Sequence, residues 1–149
     1  MWKSLVLFLS CLPPALVARE VKVQMKELPP AVQKTVLEQT RTASLRGLTK
    51  EVENGKTFYE AETTVNGKSR DVLIDSSGAV VEVEEATSLE AIPAAARKAL
   101  EQEAGASGKI LTVETVTRGT AVSYEAEMQK GGKKSEYAVH ADGSRAREE

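Results

Sequence analysis

Cysteine is nearly missing from this 149-residue sequence: Cys11 is the one thiol, and it lies inside an apolar N-terminal run. A chain with so little sulfur has no disulfide framework and no thiolate pair to use, even in an oxidising compartment. Histidine is just as scarce, with His140 alone. One His, no Cys beyond residue 11 and no His-Glu-x-x-His leave no zinc ligand set. A Ser–His–Asp triad needs a nucleophile on a sharp turn, and the sequence has no Gly-x-Ser-x-Gly to supply one. His140 therefore reads as a surface residue, and the expectation is a protein that is not an enzyme and carries no cofactor or metal. Basic clusters are missing too: 20 Lys and Arg are scattered among 22 acids, giving a net charge of −2. Nucleic acid, whose phosphates demand grouped cations, is excluded as a partner on that pattern. No apolar run approaches the ~20 residues that span a bilayer.

What is present begins with the compartment. Lys3 precedes the short apolar run Leu5–Leu12, Pro13-Pro14 breaks it, and Ala15-Leu16-Val17-Ala18 leads to the charged pair Arg19-Glu20. A charged start, an apolar middle and a small residue at the end is the pattern of a secretory signal peptide. Residues 1–18 are expected to be removed, giving a secreted or periplasmic protein with no transmembrane segment. A buried N-terminal helix is the alternative, but the double proline would break it. Phe8-Leu9-Ser10-Cys11 offers another, a lipid anchor on Cys11, although Phe8 stands where lipoprotein signals usually have Leu. Removal of residues 1–18 takes away Lys3 and no acid, so the charge falls from −2 to −3.

The remainder repeats itself. Leu28-Pro29-Pro30-Ala31-Val32-Gln33-Lys34 returns 64 positions later as Ile92-Pro93-Ala94-Ala95-Ala96-Arg97-Lys98. Tyr59-Glu60-Ala61-Glu62 returns after 65 as Tyr124-Glu125-Ala126-Glu127, and Gly67-Lys68 and Gly78 return at the same interval as Gly132-Lys133 and Gly143. Constant order and spacing indicate a duplicated unit. Each unit opens on a proline-started helix with an apolar stripe: Val32, Val36 and Thr40 in the first, Ala96, Leu100 and Ala104 in the second. Hairpin punctuation follows at Asn54-Gly55, Asn66-Gly67, Gly131-Gly132 and Asp142-Gly143. The spacing predicts strands at 45–52, 57–65, 70–75 and 79–84, then 109–117, 121–129, 135–140 and 144–148. Glu82–Glu90 is expected to link the units. The predicted fold class is α+β, with two tandem helix-plus-four-strand modules (19–86 and 87–149) and helices packed on one face of antiparallel sheet.

Period-two alternation separates the two faces. Tyr59, Ala61, Val65, Val72, Ile74, Val81 and Val83 should point to the helix, as should Val122, Tyr124, Ala126, Met128, Tyr137 and Val139. Ser123, Glu125, Glu127, Glu136 and His140 should point away.

The proline-started helix, the strand motif Tyr59-Glu60-Ala61-Glu62 and the apolar strand Val72-Leu73-Ile74 ending in Asp75-Ser76-Ser77-Gly78 resemble the PepSY-like domain family. Tyr124-Glu125-Ala126-Glu127 and Tyr137-Ala138-Val139-His140-Ala141-Asp142-Gly143 resemble it a second time, with His140 departing from the acid of the pattern. The tandem arrangement is similar to that of β-lactamase inhibitory protein, in which two copies build a sheet that grips an enzyme. The resemblance covers residues 28–149 and implies an exported bacterial protein without catalytic residues, one that restrains a partner enzyme such as a peptidase. The cystatin fold is a rival, but its Gln-x-Val-x-Gly loop is missing.

The outward sheet face supplies the candidate site. Phe58, Leu73 and Val80 are expected there among the acids Glu60 and Glu62, with Glu125, Glu127, Arg145 and Arg147 from the second unit. Apolar groups ringed by acids fit a surface for another exported protein, although antiparallel sheets often leave one face simply in water. The alternative function is an envelope protein, free or lipid-anchored, that senses or sequesters a small ligand or ion with its acids. Asp75-Ser76-Ser77-Gly78 lacks the remaining ligands of a calcium loop and reads as a hairpin turn.

Overall fold

A computed structural model describes residues 20–146. The expected signal peptide, Cys11 and Arg147 lie outside the described residues. The chain forms β1 (Val21–Lys22), a 3-10 turn (Met25–Glu27), α1 (Pro30–Gln39) and then β2 (Ser44–Glu53), β3 (Lys56–Val65), β4 (Lys68–Asp75) and β5 (Val80–Thr87). After α2 (Ala94–Ala104) come β6 (Gly108–Arg118), β7 (Ala121–Lys130) and β8 (Lys133–Val139). The strands build one eight-stranded sheet in the order β1 to β8, every neighbouring pair antiparallel.

That continuity corrects the expected fold class: the molecule is a single sheet with two short helices, not two tandem helix-plus-four-strand modules. The physical reason lies in the stretch read as a linker. β5 continues through this charged stretch to Thr87 and pairs with β6 from Val83↔Thr117 to Thr87↔Val113, so long-range pairing makes a strand of it. Of the predicted strand 144–148, the described residues Ser144–Ala146 make an isolated bridge rather than a strand. Arg145 makes an isolated bridge with Val139, and the Ala146 N–H donates to the Ala138 carbonyl at 2.9 Å.

Both helices lie on the same side of the sheet, each over its own apolar cluster. Pro29 and Pro93 occupy the N-cap positions, where a missing N–H costs nothing. Val32 and Val36 of α1 are sealed against Leu48, Tyr59, Ala61, Val72 and Ile74. Ala96 and Leu100 of α2 are sealed against Val113, Ala126, Met128 and Val139. Each fully buried Val, Leu or Ile contributes roughly 1.5–3 kcal/mol, so these two clusters hold the helices down. Gly78 shows how closely the first helix sits. Its φ is +89°, and a Cβ there would lie 2.8 Å from the Ala31 carbonyl oxygen. Gly143, at φ +83°, stands in the same relation to Ala95, again at 2.8 Å.

Most of the alternation falls as predicted, and the exceptions have local causes. Val122 lies on the helix side as expected, opposite Thr117, yet is exposed, while Ser123 on the open side is buried. β-Bulges interrupt the pairing of β2 with β3 at Arg46, of β4 with β5 near Val81 and of β6 with β7 at Leu111. A bulge adds one residue to one strand and changes which side chains share a face beyond it.

Candidate functional site

With both helices on one side, the other side of the sheet is left open, and its chemistry follows from the strand register. One row across it runs Gly47, Glu62, Asp71, Glu84, Val116 and Ser123, from β2 to β7. The next runs Thr49, Glu60, Leu73 and Glu82. Further along β6 and β7, Glu114 stands opposite Glu125, and Glu127 opposite Glu136. Directly paired side chains on one sheet face come within about 4.5–5.5 Å at Cβ, and like charges so placed repel. The open face therefore concentrates carboxylates at a cost to folding.

Three cations offset part of that cost. Arg46, carried onto this face by its bulge, places Nη2 2.8 Å from Asp71 and Nη1 3.9 Å from Glu62. Arg118 forms an ion pair with Glu82, and Lys134 reaches Glu127 at 2.7 Å. The balance is still acidic, and the acids respond. Burial first, then the charges of Asp71 and Glu62, push the Glu60 carboxyl up to about 8, against a small opposing effect of its bond from Thr49 Oγ1. Glu84 is raised by burial, by the charge of Glu82 and by a hydrogen bond shared with it, with Glu114 and Glu125 adding to the effect. Burial also raises Glu51, with help from Glu53, and raises Asp71 in spite of Arg46. Burial and mutual repulsion thus hold the Glu60 and Glu84 carboxyls toward their protonated forms near neutral pH.

One end of the open face is hollowed into a groove of about 800 Å³. Its floor is apolar, formed by Phe58, Leu73 and Val81, and its walls carry Glu51, Glu82, Glu84 and Glu125. Lining residues come from strands as far apart as β2 and β8, so the face is concave. Turns close the end: Gly55 of the β2–β3 hairpin, and Ser76 and Ser77 between β4 and β5. The latter turn is held by the Asp75 carboxylate, which accepts from the Ser77 and Ala79 N–H groups at 2.8 and 3.0 Å. Beside the groove, Glu20, Glu60 and Glu62 bring carboxylate oxygens within 4.8 Å of one another.

The residues singled out from the sequence divide accordingly. Phe58, Leu73 and Glu125 line the groove, and Glu60, Glu62, Glu125 and Glu127 line the acidic recess next to it. Two expectations are corrected. Val80 pairs with Ile74, a residue of the helix-side core, so it lies on the covered side although 38% exposed. The bulge gives its expected place to Val81, which alternation had assigned to the core. Arg145 bridges Val139 and stacks 5.0 Å above the Tyr137 ring, both helix-side residues, so it does not belong to the open face. Sequence reasoning missed Arg46 and Arg118; the first reaches the site only through its bulge, which leaves no mark in the alternation.

Compared with family models, the sequence matches none, and no curated protein matches it either. Solved structures do resemble it. A DUF2874 family protein from Bacteroides uniformis matches with a TM-score of 0.63 at 19% identity, over 80% of this chain and 86% of its own. A BLIP-like protein from Bacteroides fragilis matches with a TM-score of 0.58 at 16% identity, over 82% and 85%. A protein from Bacteroides eggerthii provisionally assigned to the periplasm gives 0.63 at 20%, over 80% and 86%. The chain shares its fold with these proteins. Among the described residues, no helix is long and apolar enough to cross a membrane.

Proposed function

We propose that this protein is exported, performs no catalysis, and holds a partner protein in the groove of its open sheet face, restraining an enzyme such as a peptidase. One observation carries the reading: a concave sheet face that the helices leave uncovered, where half-buried Phe58 and Leu73 floor a groove walled by carboxylates. Folding alone does not require apolar floor and acidic wall together, whereas interfaces combine an apolar centre with a polar rim. The signal-peptide pattern of residues 1–18 and the periplasmic assignment of one structural neighbour support export, and the BLIP-like neighbour supports a binding role.

The test sets two adjacent residues against each other. Tyr59 is 7% exposed within the first core cluster, while Phe58 faces the groove. Tyr59→Ala should destabilise the protein by about 3–5 kcal/mol. Phe58→Ala should cost much less and should abolish retention of partners from an exported-protein fraction on the immobilised protein. Equal capture by wild type and Phe58→Ala would sink the proposal. A second reading, sequestration of an ion, draws on the approach of Glu20, Glu60 and Glu62. Calcium and magnesium titrations followed by calorimetry, with Glu62→Gln as control, decide it: saturable heat that the variant loses would support an ion role.

A further inference from the structure

The groove described above also points to the chemistry of what it holds. We infer that it takes a cationic segment of a partner protein, one that sets Lys or Arg side chains against Glu82, Glu84 and Glu125 and an apolar side chain against Phe58 and Leu73. This rests on the reading that the open face binds a protein, and it names the partner's chemistry.

Charge complementarity is the first ground. Seven carboxylates line the groove against two cations, Lys56 and Arg118, and Arg118 is already engaged with Glu82. Glu84 of this group also stands across the strands from Asp71 and Glu62 of the neighbouring acidic recess. A partner's guanidinium or ammonium would relieve this repulsion, in surroundings where partial burial makes ionic hydrogen bonds stronger than in water.

Shape and floor narrow the occupant further. A volume of about 800 Å³ suits a few side chains, as in pockets that enclose drug-sized ligands. A bare ion would make no use of Phe58, Leu73 and Val81. Nucleic acid would bring phosphates against carboxylates. A second copy of this chain, docked symmetrically, would set the same acidic face against itself. A short polypeptide stretch with positive charges around an apolar residue satisfies both wall and floor.

The experiment uses three fluorescein-labelled ten-residue peptides with a central Leu, flanked by Lys and Arg, by Ser, or by Glu. Fluorescence anisotropy against the full mature protein at low salt should show the cationic peptide binding at least tenfold more tightly than the Ser peptide. The Glu peptide should not saturate, and 0.5 M salt should weaken the cationic peptide strongly. Glu82→Gln/Glu125→Gln should lower its affinity at least tenfold, with thermal unfolding run alongside to check the fold. Ser and cationic peptides binding within twofold of each other would overturn the inference, as would a folded double variant that binds like wild type. The peptide series on the wild-type protein decides the matter even if the double variant does not fold. Partner capture lost in Phe58→Ala, together with no preference among the peptides, would overturn the cationic occupant while leaving the binding role intact. Cationic preference without capture of any exported protein would support the groove chemistry and overturn the proposed partner role.

Discussion

Glu60 offers the sharpest physical test of the open face. Its carboxyl lies in the second row of acids between Thr49 and Leu73, with Asp71, Glu62 and Glu20 as the charges that act on it. Burial and those neighbours raise it from 4.5 to about 8 in the folded protein. Between these two values the folded chain binds a proton that the unfolded chain has already released. Stability from this group is therefore fully present below pH 4.5 and is lost as pH rises through 8. At about 1.36 kcal/mol per unit, the loss between pH 4.5 and pH 7 is up to roughly 3 kcal/mol, less whatever water relaxes around the carboxylate. Glu60→Gln resembles the protonated form in shape and can still accept the Thr49 hydroxyl bond, 3.2 Å in the wild type. The variant should match wild type near pH 4 and exceed it by at least ~1 kcal/mol at pH 7 and above. Urea denaturation at pH 4, 5.5, 7 and 8 measures both curves. Other acids on this face shift the same way, so the variant keeps part of the slope; what must appear is divergence between the curves. Parallel curves, or a variant less stable at high pH, would refute the account of Glu60 as a desolvated acid.

Two further outcomes follow from elsewhere in the chain. Gly78→Ala and Gly143→Ala should each destabilise by about 1–3 kcal/mol in thermal unfolding, because both positions combine positive φ with a helix carbonyl 2.8 Å from the new Cβ. Mass spectrometry of the exported protein should give a chain starting at or near Arg19; an intact Met1 would remove the case for export, and a lipidated Cys11 would replace it with an anchor.

Much of this arrangement is legible in the sequence wherever the local rules act alone. In β3, which has no extra residue of its own, alternation sends Tyr59 and Ala61 to the helix and Phe58, Glu60 and Glu62 to the open face, and the structure has them so. The hairpins at Asn54-Gly55 and Asn66-Gly67 are equally plain, since both residues of each adopt positive φ. Val80 and Val81 were not legible. Two adjacent valines fit either face, and only the bulge in the β4–β5 pairing decides between them. The join of β5 to β6 was hidden for a different reason. A charged strand on an open sheet face and a solvated linker share the same composition, and long-range pairing alone separates them. Arg145 was assigned by counting along a strand of which the described residues make only an isolated bridge, and its seat over Tyr137 follows the turn at Asp142-Gly143.

The two faces of this sheet divide stability from recognition, and β3 shows how finely. Tyr59 and Glu60 are neighbours in sequence, and both are largely withdrawn from water. Tyr59 enters an apolar cluster closed by α1, where burial favours the fold. Glu60 enters a bed of other acids, where the same burial opposes ionisation and so opposes the fold near neutral pH. The helix-side clusters hold the molecule together while the open face carries repulsion that its own arginines only partly relieve. An acid bed of this kind becomes stabilising only when positive charge is supplied from outside. A bound cationic segment would therefore tighten the whole sheet, and its affinity would rise with pH as Glu60 ionises. That places binding and stability in the same row of side chains, Thr49, Glu60, Leu73 and Glu82, so a substitution there that relieves the repulsion should gain stability at the expense of the partner.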